Sequence, residues 1–317
     1  MLLAIWLTDF CYQQYASRRI RTIIDGVRPF ASTTALSTEE AVELRIPVTD
    51  TGQFLAAALY RCPRQPRGLI LFLPELDGSR RNALTYCVAL RDAGFAILAI
   101  DFRSQGDSDR ITDYEPIHWI SEFELQDIRA ATMFAAQDEE LKHLPLGIVG
   151  VSRGGSAALT AGFHFPQIRA IVTDSGFTTL SMLNHFLNKF SNFVVPDWFF
   201  SKLPAWHVAA TLRQALRRSE RGRHCRYVHP EHESSAFRAS LLMISGMRDS
   251  YVTADITRRI AAFLRQPDNV WLVPKAKHNR SRMAQTEEWD RRVIRHFTES
   301  LSPGPAADSG GVDPGPR

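Results

Sequence analysis

One serine stands between two glycines directly after an apolar run. Residues 147–156 read Gly-Ile-Val-Gly-Val-Ser-Arg-Gly-Gly-Ser, so Gly150, Ser152 and Gly154 form a G-x-S-x-G sequence. The pattern predicts a buried strand before the serine and a helix after it. Small residues allow a sharp turn that lifts the hydroxyl above the end of the strand, and a helix N-terminus favours negative charge there. We therefore predict that Ser152 is a nucleophile.

A serine hydroxyl becomes a nucleophile when a base takes its proton and an acid orients that base. Asp249 follows a predicted strand 97 residues after Ser152, and His278 follows the next strand 29 residues later. Because the carboxyl ends of parallel strands meet at one edge of a sheet, the three side chains are expected to converge. The set predicts acyl transfer, with His278 as the base and Asp249 as the orienting acid.

Three other residues compete for these two roles. Asp174 follows the strand after the serine and is the alternative acid. Asp255 and His296 lie inside predicted helices, where catalytic groups are less frequent than in the loops that end strands. We therefore favour Asp249 and His278.

The oxyanion that forms during acyl transfer needs N–H donors. The N–H of Arg153, directly after the serine, is expected to be one of them. The other should come from the loop after an earlier strand, where residues 73–79 read Leu-Pro-Glu-Leu-Asp-Gly-Ser. Leu76 is the preferred donor in that loop, and Glu75 is the alternative.

The elements around these residues predict an α/β fold. Apolar strands alternate with helices, which indicates a mostly parallel sheet with helices on both faces. The predicted strands are residues 42–48, 54–60, 68–73, 95–100, 146–149, 168–173, 241–245 and 270–273. The predicted helices are residues 81–93, 121–141, 154–164, 254–264 and 286–301.

Together these features resemble the α/β-hydrolase superfamily, in particular its serine-aminopeptidase-like and monoacylglycerol-lipase-like branch. Residues 101–108, Asp-Phe-Arg-Ser-Gln-Gly-Asp-Ser, are similar to the D-x-R-G-x-G-x-S loop of that branch, and the resemblance covers residues 42–300. It implies a serine hydrolase with a Ser-His-Asp triad. It also implies that Asp101 and Arg103 tie their loop to the sheet and take no part in the chemistry.

One departure from the family lies in the oxyanion loop, where Pro74-Glu75 replaces the usual His-Gly. Backbone donors do not require those side chains, so the oxyanion site can form. Glu75 or Asp77 near the pocket would discourage an anionic acyl group, and Arg153 beside the nucleophile would offset that charge.

The resemblance also implies the domain organisation. Residues 42–301 are predicted to form one hydrolase domain with a helical cap inserted at about 177–238, where no strand is evident. Residues 1–41 are an N-terminal apolar and basic segment, and residues 302–317 are expected to be a disordered tail because they are rich in proline, glycine and aspartate. The large apolar residues of the cap either line an acyl pocket or pack onto the main domain. They are Met182, Phe186, Phe190, Phe193, Trp198, Phe199, Phe200 and Trp206.

The charge and the cysteines limit the class of protein further. A net charge of +4 is too small to argue for nucleic acid, and four scattered cysteines indicate free thiols in a reducing compartment. The apolar run at residues 1–7 is shorter than the roughly 20 residues of a membrane span and lacks the features of a secretory signal. We expect a cytoplasmic protein whose N-terminal segment forms a helix packed on the domain surface. The alternative is a helix on an anionic membrane, because Arg18, Arg19 and Arg21 follow.

Two further clusters are not assigned a function. His224, Cys225, His229 and His232, with two glutamates nearby, match no common zinc spacing and are interpreted as a polar surface loop. Six arginines between residues 213 and 226 are interpreted as a solvated helix face, with a phospholipid surface as the alternative. No metal or other cofactor is implied.

The function that these residues favour is hydrolysis of a small-molecule ester, or of an amide in second place, through an acyl-enzyme. The competing hypothesis is a non-catalytic hydrolase-fold protein that binds a lipid or a partner at a membrane, for which the Pro74-Glu75 loop is the main support. Dehalogenase or epoxide hydrolase activity is disfavoured, since those enzymes place aspartate where Ser152 stands.

Overall fold

The computed structural model describes residues 2–26, 41–190, 198, 202–233 and 236–302. The strands are β1 (Val42–Val48), β2 (Gln53–Tyr60), β3 (Leu69–Leu73), β4 (Ala96–Ile100), β5 (Leu146–Val151), β6 (Ile168–Asp174), β7 (Ser240–Gly246) and β8 (Val270–Val273). The helices are α1 (Leu2–Gly26), α2 (Ala83–Asp92), α3 (Glu122–Gln137), α4 (Arg153–His164), α5 (Thr179–Phe190), α6 (Ala205–Gly222), α7 (Ala254–Phe263), α8 (Ser281–Ala284) and α9 (Thr286–Leu301).

The eight strands form one sheet in the order β1-β2-β4-β3-β5-β6-β7-β8. Strand β2 runs antiparallel to both of its neighbours, and every other pair is parallel. The predicted fold class, a mostly parallel sheet covered by helices, is therefore confirmed. Strands β3, β4 and β5 are buried along their whole length, as the continuous apolar runs predict for strands covered on both faces.

Helices cover both faces of the sheet. On one face α2 and α9 contribute Tyr86, Trp289 and Phe297 to a core with the strands. On the other face α3, α4 and α7 supply smaller side chains such as Ala158 and Ile260. Because the sheet is sandwiched between these two cores, the loops at the carboxyl ends of β3, β5, β6, β7 and β8 are held at one edge.

The N-terminal segment forms one long helix that packs on α6. Helix α1 continues for 25 residues, because Ala16, Ile20 and Ile24 of its second half are buried and the helix packs along α6. No helix in the described part of the chain is long and apolar enough to cross a membrane. Residues 27–40 and all of the predicted tail except Ser302 lie outside the described residues.

The segment predicted as a cap lies between β6 and β7. Helices α5 and α6 are its main described elements. Met182 is buried beside the main core, whereas Trp198 and Trp206 are each 67% exposed. The side chains of Phe186 and Phe190 and all of Phe193, Phe199 and Phe200 lie outside what the structure describes.

The four cysteines carry free thiols, as predicted from their spacing. Cys87 and Cys225 are buried, and burial raises the pKa of the Cys225 thiol to about 12. These two thiols are therefore packing residues at neutral pH.

Candidate active site

Ser152 occupies a strained turn between β5 and α4. Its backbone has φ 49° and ψ −113°, a conformation that non-glycine residues rarely adopt. The neighbouring glycines explain why the turn can close. A Cβ on Gly154 would lie 2.1 Å from the carbonyl oxygen of Leu73, and a Cβ on Gly150 would lie 2.4 Å from the carbonyl oxygen of Gly154. The G-x-S-x-G sequence is thus required by close backbone contact on both sides of the serine.

The three residues predicted as a triad are in contact. The Oγ atom of Ser152 lies 2.9 Å from Nε2 of His278, and Nδ1 of the same ring lies 2.7 Å from Oδ2 of Asp249. The three residues are at most 8% exposed. In the tautomer that satisfies both contacts, Nδ1–H donates to the carboxylate, which leaves Nε2 free to accept the serine proton.

Asp249 is fixed by the turn that follows β7. Its second carboxylate oxygen accepts the backbone N–H groups of Tyr251, at 2.8 Å, and Val252, at 3.0 Å. Its own N–H donates to the carbonyl of Gly246 at 3.0 Å. A Cβ on Gly246 would lie 2.4 Å from the carbonyl of Ala276, so the loops that carry Asp249 and His278 pack directly against each other.

The alternative acid, Asp174, is buried beside the triad without touching the imidazole. Its Oδ1 accepts the hydroxyls of Ser281, at 2.8 Å, and Ser175, at 3.1 Å. Ser175 Oγ in turn accepts the N–H of Asn279, the residue after His278. Asp174 therefore holds the histidine loop in place, and the geometry favours Asp249 as the orienting acid.

The other two competitors are away from the site. Asp255 is largely exposed on α7 and pairs with Arg259 at 2.9 Å. His296 packs against the ring of Phe297 on α9. Neither residue contacts Ser152 or His278, so the structure brings neither of them to the predicted site.

Asp174 makes the stability of the fold depend on pH. Burial raises the pKa of this carboxyl from 3.8 to about 6, so its neutral form is favoured in the folded state and its contribution is lost as pH rises through about 6. We expect Asp174→Asn to raise the free energy of unfolding at pH 7.5 by up to about 3 kcal/mol and at pH 4.5 by only about 1 kcal/mol. Urea unfolding of both proteins at the two pH values measures this difference, and a gain that is equal at both would contradict it.

The loop that was predicted to supply an oxyanion donor packs against the turn that carries Ser152. A Cβ on Gly154 would lie 2.1 Å from the carbonyl oxygen of Leu73 and 2.5 Å from that of Pro74. Leu76 is buried in the same loop. Gln105 fixes this loop, because its side-chain amide donates to the carbonyls of Glu75, at 2.7 Å, and Gly78, at 2.8 Å. The loop that contains Leu76 is therefore held by hydrogen bonds and lies against the turn after Ser152.

The side chain of Glu75 does not have the position suggested by the sequence. It is buried within its own loop, where Asn82 donates to Oε1 at 3.1 Å. Asp77 is exposed. The departure at Pro74-Glu75 thus changes how the loop is packed and leaves its backbone next to the serine turn.

Arg153 also has a role that the sequence did not indicate. Its guanidinium is buried and pairs with Glu124 of α3 at 2.6 Å, while Nε donates to the carbonyl of Ile117 at 2.5 Å. The expectation that this cation offsets Glu75 is therefore wrong. Burial alone would raise the pKa of Glu124, but the Arg153 charge together with hydrogen bonds from Arg153 and Ser121 holds that pKa below its ordinary value.

Removing one partner of this buried pair should be costly. We expect Glu124→Gln to lower the free energy of unfolding by about 3 to 5 kcal/mol, because it leaves the Arg153 guanidinium without a counter-charge. Glu43 is a matched control, since it pairs with Arg80 at 2.9 Å but is 61% exposed. Glu43→Gln should cost less than about 1 kcal/mol in the same urea titration. Equal losses of stability in the two variants would contradict the assignment of Glu124 as the buried counter-charge of Arg153.

The loop after β4 is fixed by two buried ion pairs. Asp101 pairs with Arg80 at 2.6 Å, and Arg103 pairs with Asp127 of α3 at 2.5 Å. A Cβ on Gly106, which has φ +55°, would lie 2.2 Å from Asp101 Oδ2. The structural role predicted for Asp101 and Arg103 is confirmed.

Sequence reasoning missed His118, which lies near the triad. Its ring is 5% exposed, and neither nitrogen has a hydrogen-bond partner among the described residues. The ring stacks on Tyr251 with centroids 6.4 Å apart, and Tyr251 lies 5.7 Å from the ring of His278. Burial, Arg153 and His278 together lower the pKa of His118 to about 4. Only tertiary structure brings this neutral imidazole to the site, since His118 lies on the loop between β4 and α3.

The cluster of histidines and acids before β7 has structural contacts. Glu231 accepts the N–H groups of Leu180 and Ser181 at the start of α5. Glu233 lies 3.2 Å from His164. Among the described residues, no group of three or more histidine, cysteine, aspartate or glutamate side chains is arranged to hold a metal.

A model of the Alpha/beta hydrolase family matches residues 70–300, and the chain belongs to that family. The branch within the family stays a prediction. No curated protein matches the sequence.

Solved structures share the fold. An esterase from Pyrococcus furiosus aligns over 87% of this chain and 97% of its own, with 20% identity and a TM-score of 0.60. A thermostable carboxyl esterase from Bacillus coagulans aligns over 83% of this chain and 100% of its own, with 14% identity and a TM-score of 0.56. A dienelactone hydrolase from Anabaena variabilis aligns over 83% and 98%, with 17% identity and a TM-score of 0.53. At these identities the likeness is one of fold.

Proposed function

We propose that this protein is a serine hydrolase that cleaves carboxylic esters, and amides in second place, through an acyl-enzyme. The observation that carries the proposal is the chain of two short contacts from Ser152 through His278 to Asp249. A strained backbone at the serine adds support, because strain of this kind is retained where it positions a reacting group.

The reaction follows from the geometry. Ser152 Oγ attacks the carbonyl carbon while Nε2 of His278 takes its proton, and Asp249 stabilises the imidazolium that forms. The N–H groups of Arg153 and Leu76 bind the oxyanion, each contributing roughly 3 kcal/mol of transition-state stabilisation. The same imidazolium returns the proton to the leaving alcohol. Water, deprotonated by His278, then releases the acid and restores the serine.

Esters are preferred over amides on the basis of similar proteins. Two of the three structures described above are esterases. The non-catalytic hypothesis loses its main support, because Glu75 is turned into its own loop and leaves the oxyanion backbone beside Ser152. Residues 177–238 are proposed to form the cap, with α5 nearest the main core.

The test is hydrolysis of p-nitrophenyl acetate, butyrate, octanoate and palmitate by the full-length protein, with p-nitrobutyranilide as the matched amide. We expect turnover of at least one ester, and a faster rate for the butyrate ester than for the anilide. The acyl length with the highest kcat/KM then reports the size of the acyl site. No turnover of any ester, together with no reaction of Ser152 with a fluorophosphonate, would overturn the proposal.

His118 is proposed to bind a polar group of the substrate. A buried imidazole without a protein partner costs free energy unless something else takes its hydrogen bonds. In its neutral form it offers one donor and one acceptor, which suits a hydroxyl on the alcohol part of the ester.

This role predicts a selective effect of His118→Phe. The KM for 2-hydroxyethyl butyrate should rise about fivefold, the value of one lost hydrogen bond, with kcat almost unchanged. Propyl butyrate, which carries a methyl in place of the hydroxyl, is the matched substrate and should show little change. Steady-state kinetics with both esters measure the difference, and equal changes in KM would assign His118 a packing role.

A further inference from the structure

Helices α1 and α6 lie side by side and run in the same direction. His207 near the start of α6 bonds to Asp9 at 2.6 Å, whereas Ser219 near its end bonds to Asp25 at 2.5 Å. Arg218 donates to Ser17 at 3.1 Å between these two contacts. Because residue numbers increase together along both helices, the two N-termini lie at the same end of the pair.

Large apolar side chains are exposed at that end. Leu3, Trp6, Leu7 and Phe10 of α1 are 75%, 61%, 54% and 47% exposed, and Trp206 of α6 is 67% exposed. We call these five residues the apolar tip. The spacing of 3, 6, 7 and 10 places the α1 members on one side of the helix. Single exposed apolar residues are common, but a cluster of this kind marks a contact surface.

Positive charge follows the apolar tip along both helices. The arginine flank consists of Arg18, Arg19, Arg213, Arg217 and Arg221, all exposed. Among the described residues, none of these five forms an ion pair with a carboxylate. Arg213 comes two helical turns after Trp206, or about 10 Å along the axis.

The residues around the apolar tip carry little negative charge. Asp9 is the only acidic residue between positions 2 and 12, and it is paired with His207. Residues 202–213 contain Lys202 and Arg213 but no acid. The surface thus combines exposed tryptophan and phenylalanine with cations that begin about 10 Å behind Trp206 and continue along the helix pair. Aromatic rings favour the boundary between acyl chains and headgroups, and arginines favour the phosphates just outside it.

We propose that the apolar tip and the arginine flank dock this protein onto a bilayer that contains anionic phospholipid. The first turns of α1 and α6 enter the headgroup boundary, and the arginines contact lipid phosphates. This is peripheral binding of an interfacial kind. It goes beyond the proposed hydrolase activity and does not depend on it, because docking needs neither Ser152 nor substrate turnover.

The test is flotation of the full-length protein with vesicles, followed by quantification of the bound fraction. The vesicles contain phosphatidylcholine alone or with about 30 mol% phosphatidylglycerol, enough to give a negative surface. We expect binding to the anionic vesicles that weakens when salt is raised from about 0.1 M to about 1 M. Absence of binding to anionic vesicles would overturn the proposal.

Variants separate the two components of the surface. The double variant Trp6→Ser with Trp206→Ser should lower affinity for anionic vesicles about tenfold or more. Phe263→Ser is the matched control, because Phe263 is 48% exposed on α7, and it should bind as the wild type does. Arg213→Glu with Arg217→Glu should reduce binding to the level seen with phosphatidylcholine alone. All these side chains are exposed, and an unchanged circular dichroism melt confirms that each variant is folded.

Two results would assign the surface differently. Unchanged vesicle binding in the double tryptophan variant would contradict docking through the apolar tip. A wild-type dimer in light scattering without lipid, converted to a monomer by the tryptophan variant, would show that a second copy of the chain covers the apolar tip. Ester hydrolysis by the same variants is measured separately, so failure of docking and failure of the proposed function are distinguished.

Discussion

Replacing Ser152 with alanine should lower kcat/KM for p-nitrophenyl butyrate by about 10⁴-fold or more, because no other group at the site can form the acyl-enzyme. The folded structure should be retained. Alanine and serine have similar backbone strain at φ 49°, so the substitution adds none. The serine hydroxyl contacts His278, and its loss removes little packing. Initial rates and a urea titration of both proteins check the two parts of this prediction.

Ser156→Ala is the matched control for that variant. Ser156 lies one helical turn further along α4, where its hydroxyl contacts the carbonyl of Ser152 at 3.3 Å and the N–H of Phe177 at 3.2 Å. Loss of these bonds should cost about 1 kcal/mol of stability and leave kcat/KM within about tenfold. Similar rates for Ser152→Ala and the wild type would place the nucleophile elsewhere.

The second large effect is expected from Asp249→Asn, with a loss of about 10⁴-fold in kcat at neutral pH. An asparagine amide can donate to Nδ1 of His278, which favours the tautomer with the proton on Nε2. The ring then presents a donor to Ser152 where an acceptor is needed. The expected signature is a large fall in kcat with little change in KM.

Asp174→Asn distinguishes the two carboxylates near the histidine. Because Asp174 bonds to Ser175 and Ser281, its replacement should change kcat by less than about tenfold. The two variants are measured side by side at pH 7.5 with the same ester. A small effect of Asp249→Asn combined with a large effect of Asp174→Asn would assign the role of orienting acid to Asp174, at the end of β6.

The fold could be predicted from the sequence because its sheet is buried on both faces. Strands of this kind are continuous apolar runs, so β3 was predicted within one residue of its observed bounds. The edge strand β8 is only half-buried, but its short apolar run was predicted with its observed bounds. The same arrangement explains why the triad could be predicted. Asp249 and His278 follow β7 and β8 in the chain, and parallel strands deliver their following loops to one edge.

Contacts between distant side chains could not be predicted in the same way. Nothing near Arg153 in the chain indicates that Glu124 of α3 neutralises it, although the capping box at Ser121 and Glu124 does mark where that helix begins. His118 lies on an irregular loop, so no periodicity places it near the triad. The apolar run at residues 1–7 does not indicate how far α1 extends, because the second half of the helix packs against α6, which is distant in the chain.

Labelling with a fluorophosphonate tests the central claim most directly. An activated serine displaces fluoride and keeps the phosphonyl group, which raises the intact mass by one adduct and marks one peptide. The triad geometry predicts a single adduct on Ser152 in the wild type and none in His278→Ala, although the serine is still present in that variant. Labelling of another residue, or no labelling of the folded wild type, would contradict the assignment of Ser152 as the nucleophile.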